Sequence, residues 1–384
     1  MLGALFVRPR AATVCGLLSL LALAGCSTQS KSAVTVSGKN LTIYASRPPG
    51  AAGGQTVADV LDAERLALQQ AGTSVGKFTV RLVGLHGAEL TDNARKAVQD
   101  ASAIAYIGEL VPGTSQASVP ITNELGLLQV SPTDTAVYLT QATPGVSGSP
   151  GTFYPSSSTY HETFARVVPT SAQEATAIAG EMHSLGLSKL YIADDGGPYG
   201  ASIAASVRAD ATKQGLQVAS APSAADAVFY GGNTPAAAVK MLNQAAAAAG
   251  SAKLFVPSAL YDDAFVAALS AAAQRNLYVS SPGFAPSGLN PAGQQFVTAF
   301  RSAFGHAPVP MAIFGYEAVS AVIAVLKEAG SAAGSRATVV QDFRSLHNRQ
   351  SVLGTYSISS GDTSIDPFVF GHPRGGRLVA TAQG

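Results

Sequence analysis

Short apolar runs alternate with segments of helical period along most of this chain, and that alternation admits few folds. Residues 41–45, 78–82, 103–107 and 127–130 read as strands. Between them, Val57, Val60, Leu61, Leu66 and Leu68 fall at helical intervals over 57–70, and 91–100 and 114–125 also read as helices. A stretch rich in Gly, Ser, Pro and Thr, residues 140–159, interrupts the pattern. Long loops of this kind in compact domains are often functional or mobile. The alternation then resumes. Ser171-Ala172-Gln173-Glu174 has the form of a capping box, opening a helix that stops at Gly186. Strands are expected at 189–193, 227–230, 253–256 and 277–280, and helices at 201–214, 235–249 and 262–273. Strands joined by helices give a parallel sheet covered on both faces. The chain is predicted to be α/β, with two doubly wound parallel-sheet lobes split near residues 166–170.

Two further helices, 291–304 and 313–329, and strand-like pieces at 355–358 and 368–370 complete the pattern. The expected division is 41–166 plus 282–347 for lobe 1 and 167–281 plus 348–384 for lobe 2. Pro169 and Pro282 stand near two of the crossings. One stretch resists the scheme. Parallel strands need a crossover of about a dozen residues, and 221–226 leaves no room for a helix. Either 216–219 is not a strand, or the second lobe is trimmed at that edge.

The first residues make a different point. Arg8 and Arg10 precede an apolar run over 11–24, which ends in Leu23-Ala24-Gly25-Cys26. This is the order of a secretory signal, and its last four residues resemble the bacterial lipobox. The run is shorter than the roughly 20 apolar residues of a membrane span. Residues 1–25 are therefore expected to be a lipoprotein signal peptide, with Cys26 lipidated. Residues 26–40 would be a polar tether. The location implied is the extracytoplasmic face of the cell membrane.

Composition narrows the function. Hydrophobic residues make up 47% of the chain and charged residues 12%, enough apolar matter for ordinary cores. The net charge of +1 provides no footprint for nucleic acid. The two cysteines are Cys15, within the signal, and Cys26, so no disulfide is expected in the mature chain.

In doubly wound sheets, ligands bind outside the carboxyl ends of the strands. Pro112-Gly113-Thr114-Ser115 and Thr133-Asp134-Thr135 follow strands of the first lobe. Tyr199-Gly200 and Gly231-Gly232-Asn233 follow strands of the second. The amides of the 112–115 turn are suited to an anionic group such as a carboxylate. Taken singly, each loop is equally an ordinary cap or turn, since Ser, Thr and Gly favour helix starts.

The segment from Tyr106-Ile107-Gly108 to Thr140 resembles the first-lobe ligand segment of the branched-chain amino-acid binding proteins of ABC importers. It has a glycine after a strand, a Ser/Thr-rich turn, then a strand ending in Ser131-Pro132 and a threonine loop. Residues 164–169 (FARVVP), 194–200 (DDGGPYG) and 286–291 (PSGLNP) resemble further landmarks of that family in the same order. The resemblance covers about 41–379. It implies the type I periplasmic binding protein fold, with lobes joined by a multi-strand hinge. It also implies a solute held between the lobes and delivered to ABC permease subunits. By the same resemblance Thr135 bonds a ligand carboxylate and Tyr199 covers the ligand. Three positions depart from the family. Pro112 stands where a serine meets the carboxylate. Ser258 stands where a glutamate meets the ammonium. Asn233 replaces an aromatic residue. The candidate ligand-binding residues are therefore Pro112, Gly113, Thr114, Thr133, Asp134, Thr135, Tyr199, Asn233 and Ser258. Asp134 either meets a cationic solute group or is a solvated turn aspartate.

No catalytic chemistry is legible. The six histidines show no metal spacing, and His86, His161 and His306 read as surface residues. There is no G-x-S-x-G, P-loop or G-x-G-x-x-G motif. Asp194-Asp195 and Asp262-Asp263 read as a strand-end loop and a helix cap. The chain is expected to be a monomeric, cofactor-free receptor for a small, polar, amino-acid-like solute, and not an enzyme. The alternative is a lipoprotein of the same fold that regulates or scaffolds envelope proteins, with its cleft filled by side chains or binding a protein.

Overall fold

The computed structural model describes residues 34–50 and 52–382. Cys26, the expected signal and the first part of the expected tether lie outside these residues. Strands β1 (Asn40–Ser46), β2 (Ser74–Val75), β3 (Phe78–Leu85), β4 (Ala103–Ile107), β5 (Leu128–Ser131) and β6 (Phe164–Arg166) form one sheet, ordered β2-β3-β1-β4-β5-β6. A second sheet begins with β7 (Lys189–Asp194), β8 (Gln217–Val218), β9 (Ala227–Gly231), β10 (Lys253–Val256) and β11 (Leu277–Pro282). Two small hairpins follow, β12 (Arg349–Ser351) with β13 (Gly354–Tyr356), and β14 (Ile358–Ser359) with β15 (Asp362–Thr363). Strands β16 (Phe368–Arg374) and β17 (Arg377–Ala382) complete the second sheet, ordered β17-β16-β11-β10-β9-β7-β8.

Both sheets are parallel except at an edge. Strand β2 pairs antiparallel with β3, and the β16–β17 hairpin adds antiparallel to β11. A tight turn suffices for such strands, whereas a parallel neighbour needs a crossover. The second sheet is also trimmed as the sequence allowed. Strand β8 is a two-residue edge strand beside β7, and its link to β9 holds only the 3-10 turn Pro222–Ala224.

Helices α1 (Gly54–Ala71), α2 (Leu90–Gln99), α3 (Val119–Glu124) and the short α4 (Ser157–Tyr160) lie along the first part of the chain. Helices α5 (Ser171–Ser184), α6 (Pro198–Lys213), α7 (Pro235–Ala248), α8 (Asp263–Ala267) and α9 (Ala271–Arg275) go with the second sheet. The 262–273 helix expected from the sequence is thus two helices, broken where Ser270 Oγ accepts from Ala273 N–H at 3.3 Å. Helices α10 (Pro291–Phe304), α11 (Ala312–Ala329) and α12 (Arg336–Arg344) return to the first sheet. Helices α1 and α11 pack closely because α11 carries Gly315. A Cβ there would fall 2.6 Å from Val60 O.

The chain passes between sheets after β6, after β11 and before β16. Residues 349–363 were expected in the second lobe, yet Val352, Leu353, Tyr356 and Ile358 join the first core. Arg349 Nε and Tyr356 OH both donate to the buried Glu317 Oε1, at 2.5 and 2.7 Å, and pin the β12–β13 hairpin there. The described end of the tether is docked as well. Val36 is buried and its N–H donates to Gly334 O at 2.7 Å, while Arg336 N–H donates to Val34 O at 3.1 Å. The 140–159 loop is anchored by Phe153 and Tyr154, both buried, with Tyr154 OH donating to Leu139 O at 2.6 Å.

Candidate functional site

Sheet order places the site. In the first sheet β1 lies between β3 and β4, and in the second β7 lies between β8 and β9. Connections leave these pairs in opposite directions and open a crevice at their carboxyl ends. The loops after β4, β5, β7 and β9 meet there.

Three of the first-lobe loop amides are already occupied. Asp134 Oδ1 accepts from Gly113 N–H at 2.7 Å and from Ala136 N–H at 3.0 Å, and Oδ2 accepts from Ser115 N–H at 2.7 Å. The turn expected to face a ligand carboxylate therefore faces the chain's own. Asp134 is completely buried, which rules out the solvated turn aspartate. The loop is braced from below by Arg166, whose guanidinium donates to Asp134 O and Ala136 O, each at 2.8 Å, and lies 2.9 Å from Asp362 Oδ1. Thr114 and Thr133 serve local turns: Thr114 Oγ1 donates to Val111 O at 2.6 Å, and Thr133 N–H donates to Ser131 Oγ at 3.3 Å.

The second lobe closes directly on this loop. Gly113 has φ +85°, and a Cβ on it would fall 2.6 Å from Tyr199 Cβ, so only glycine lets the lobes meet. Asn233 Nδ2 donates to Pro112 O at 3.0 Å across the same seam. Tyr199 OH lies 3.4 Å from Thr135 Oγ1.

Thr135 leads to a residue that the sequence reading placed in a capping box and not in the site. Its hydroxyl donates to Glu174 Oε2 at 3.3 Å. Ser258 N–H and Ser280 Oγ donate to Glu174 Oε1 at 2.6 and 2.5 Å, and Ser258 Oγ donates to Oε2 at 3.1 Å. A carboxyl group thus stands against Ser258 after all, supplied from α5. Burial pushes the Glu174 carboxyl above its ordinary range, and its four donors oppose that rise. The expected capping box had assigned Glu174 elsewhere. The box is formed one residue earlier: Thr170 Oγ1 accepts from Gln173 N–H, and Gln173 Oε1 accepts from Thr170 N–H at 2.8 Å. Ser171 Oγ instead accepts from Val137 N–H at 3.2 Å. The available signal was a charged residue on an apolar face with Ile178 and Met182.

A further carboxyl lies behind the β4 loop. Glu109 accepts from Ser46 Oγ at 2.7 Å and Tyr106 OH at 2.6 Å. Burial pushes it up to about 7, against the lowering effect of these bonds.

What stays open between the lobes is a cavity of about 470 Å3. Leu110, Pro112 and Met311 line it from the first lobe, and Val239, Ser258, Leu260 and Phe265 from the second. Of the expected site residues, only Pro112 and Ser258 reach it. A neighbouring cavity of about 710 Å3 shares Thr56, Tyr261 and Asp262 with it. There His306 Nε2 lies 2.9 Å from the buried Asp59 Oδ1, and that bond raises the imidazole above its ordinary range. Among the described residues, no three His, Cys, Asp or Glu side chains converge on a metal position.

The sequence pattern of the family described as periplasmic binding protein matches residues 84–366. This chain belongs to the periplasmic binding protein family. No curated protein matches it. The leucine binding protein LivK of Thermotoga maritima is similar in structure, with TM-score 0.72 at 19% identity over 90% of this chain and 98% of that one. A substrate-binding protein of Desulfitobacterium hafniense in complex with Leu gives 0.71 at 21%, over 89% and 100%. A solute binding protein of R. palustris in complex with benzoate gives 0.68 at 19%, over 90% and 96%. The likeness is one of fold: mixed α/β with parallel sheets, the type I arrangement. Family and fold are those of solute-binding proteins and not of enzymes. In this periplasmic binding protein, the two inter-lobe carboxyl groups, Asp134 and Glu174, are both held by the chain's own donors.

Proposed function

We propose that the protein is a lipid-anchored solute-binding protein on the extracytoplasmic face of the cell membrane. It captures a small solute between its lobes and delivers it to the permease subunits of an ABC importer. The observation that carries this reading is the cavity of about 470 Å3 lined from both lobes at the carboxyl ends of their strands. Its volume lies in the range of about 300–1,000 Å3 found for small-molecule sites. The similar proteins in complex with Leu and benzoate support the class of ligand, a small organic molecule. Cys26 anchors the chain through its acyl groups, and the receptor acts as a monomer. The test is a thermal-shift screen of the purified protein across amino acids, amides, short carboxylates, alcohols and sugars. A solute that binds the folded form raises the melting temperature in proportion to its affinity. A screen without any response counts against capture.

One observation favours the second reading, a regulator or scaffold of envelope proteins. Apolar clusters run continuously through both lobes. Val57, Leu61 and Leu110 share one with Leu260 and Phe265, and Tyr138 and Phe164 share another with Ile178 and Ile203. Lobes joined by a hydrophobic interface resist opening. Small-angle scattering that stays in one compact form with and without solutes favours this reading.

A further inference from the structure

We propose that the solute of this cleft carries no carboxylate, because Asp134 fills the carboxylate position from within the chain, and that the solute is neutral and largely apolar. This rests on the solute-binding reading above. Gly113 and Ser115 belong to the loop after β4, and each gives its N–H to a different oxygen of Asp134 at 2.7 Å. An incoming carboxylate would find both donors spent and the oxygens of Asp134 beside them. Nor does Glu174 provide for an ammonium. The two oxygens of Glu174 already accept from Ser258 N–H, Ser258 Oγ, Ser280 Oγ and Thr135 Oγ1. That uses the roughly four lone-pair positions a carboxylate offers. Both carboxyl groups, Asp134 and Glu174, are therefore turned inward.

The remaining cavity has the complementary character. Asp262 is its one charged residue among the described residues, and Asp262 Oδ1 caps α8 by accepting from Ala264 and Phe265 N–H. Two of the hydroxyl residues on its wall are engaged, and the third is Tyr261. Thr56 Oγ1 donates to Tyr261 O at 2.9 Å and Ser258 Oγ to Glu174. What faces the interior is Leu110, Pro112, Val239, Leu260, Phe265 and Met311. Recognition there is by shape and apolar area.

The experiment has two arms, both read by thermal melting. In the first, acetate is compared with equal chloride on the wild type and on Asp134→Ala. The wild type is expected not to respond, while the variant, with its amides freed, is raised by several degrees. Asp134→Ser, which keeps one acceptor, carries the same comparison if the alanine variant does not fold. Acetate stabilising the wild type as much as the variant, or leaving a folded variant unmoved, overturns the assignment of Asp134. In the second arm, cyclohexanol, benzyl alcohol and benzamide are set against leucine. The neutral probes are expected to raise the wild-type melting temperature and to lose that effect in Val239→Trp, which fills the cavity. A response to leucine overturns the inference and leaves the solute-binding reading standing. Acetate rescue of the variant with no neutral probe binding the wild type keeps the Asp134 assignment and removes the apolar solute, and the capture reading then stands or falls by the wider screen.

Discussion

Glu174 Oε1 accepts a hydrogen bond from the backbone N–H of Ser258 at 2.6 Å, so a buried carboxyl group on α5 occupies the place where sequence alone offered only a serine. Removing it leaves Ser258 N–H without an acceptor in a buried site. Each buried donor left unpaired costs about 1–3 kcal/mol. Glu174→Ala is expected to lose about 2 kcal/mol or more in urea unfolding followed by circular dichroism. Glu174→Gln keeps an oxygen for Ser258 N–H and is expected to lose less. Equal losses in the two variants would contradict this role for the bond.

Buried acids set the pH response. Burial raises Glu109 to about 7, and raises Glu64, Glu174 and Glu317 above the usual carboxylate range. The folded chain then binds more protons than the unfolded one between about 4.5 and 7. Stability is accordingly greatest near the low end and falls as pH rises through that window. His306, raised by Asp59, acts in the same direction. The shift on Glu109 alone corresponds to roughly 3 kcal/mol. Urea midpoints are expected to be higher at pH 5 than at pH 7.5, with a smaller difference in Glu109→Gln. A midpoint that rises with pH is the opposite outcome.

Gly113 is where the lobes touch. Its φ of +85° is unfavourable for any residue with a Cβ, and that Cβ would fall 2.6 Å from Tyr199 Cβ. The backbone conformation alone costs about 1–2 kcal/mol. Gly113→Ala is expected to lower the melting temperature and to increase the radius of gyration in small-angle scattering. An unchanged radius would mean that the backbone at Tyr199 yields locally while the lobes stay closed.

Much of this was legible in the chain. The alternation of periods predicts both sheets, and loops at strand ends predict where Gly113, Asp134, Thr135, Tyr199 and Asn233 gather. The partners of these groups were not legible. Thr170–Gln173 and Ser171–Glu174 both have capping-box spacing, and only the packing of α5 against β11 decides between them. Asp134 carries no local sign that its carboxylate turns back to Gly113 and Ser115, since those residues are about twenty positions away. The placement of 349–363 depends on the buried Glu317, a contact made across more than thirty residues.

The anchor is tested at the N-terminus. Mass spectrometry of the native N-terminal peptide is expected to show a diacylglyceryl group on Cys26. Cys26→Ser is expected to release the protein from the membrane fraction. An unmodified Cys26, or cleavage at another position, contradicts the lipoprotein assignment.

The cleft is expected to read neither end of an amino acid, because Asp134 holds the Gly113 and Ser115 amides while Glu174 accepts from Ser258, Ser280 and Thr135. The decisive measurement is calorimetric titration of the wild-type protein with leucine. The expected result is no binding heat, or binding weaker than millimolar, which corresponds to less than about 4 kcal/mol. Submicromolar binding of leucine would show that both carboxyl groups release their internal donors to a ligand, and would contradict the claim.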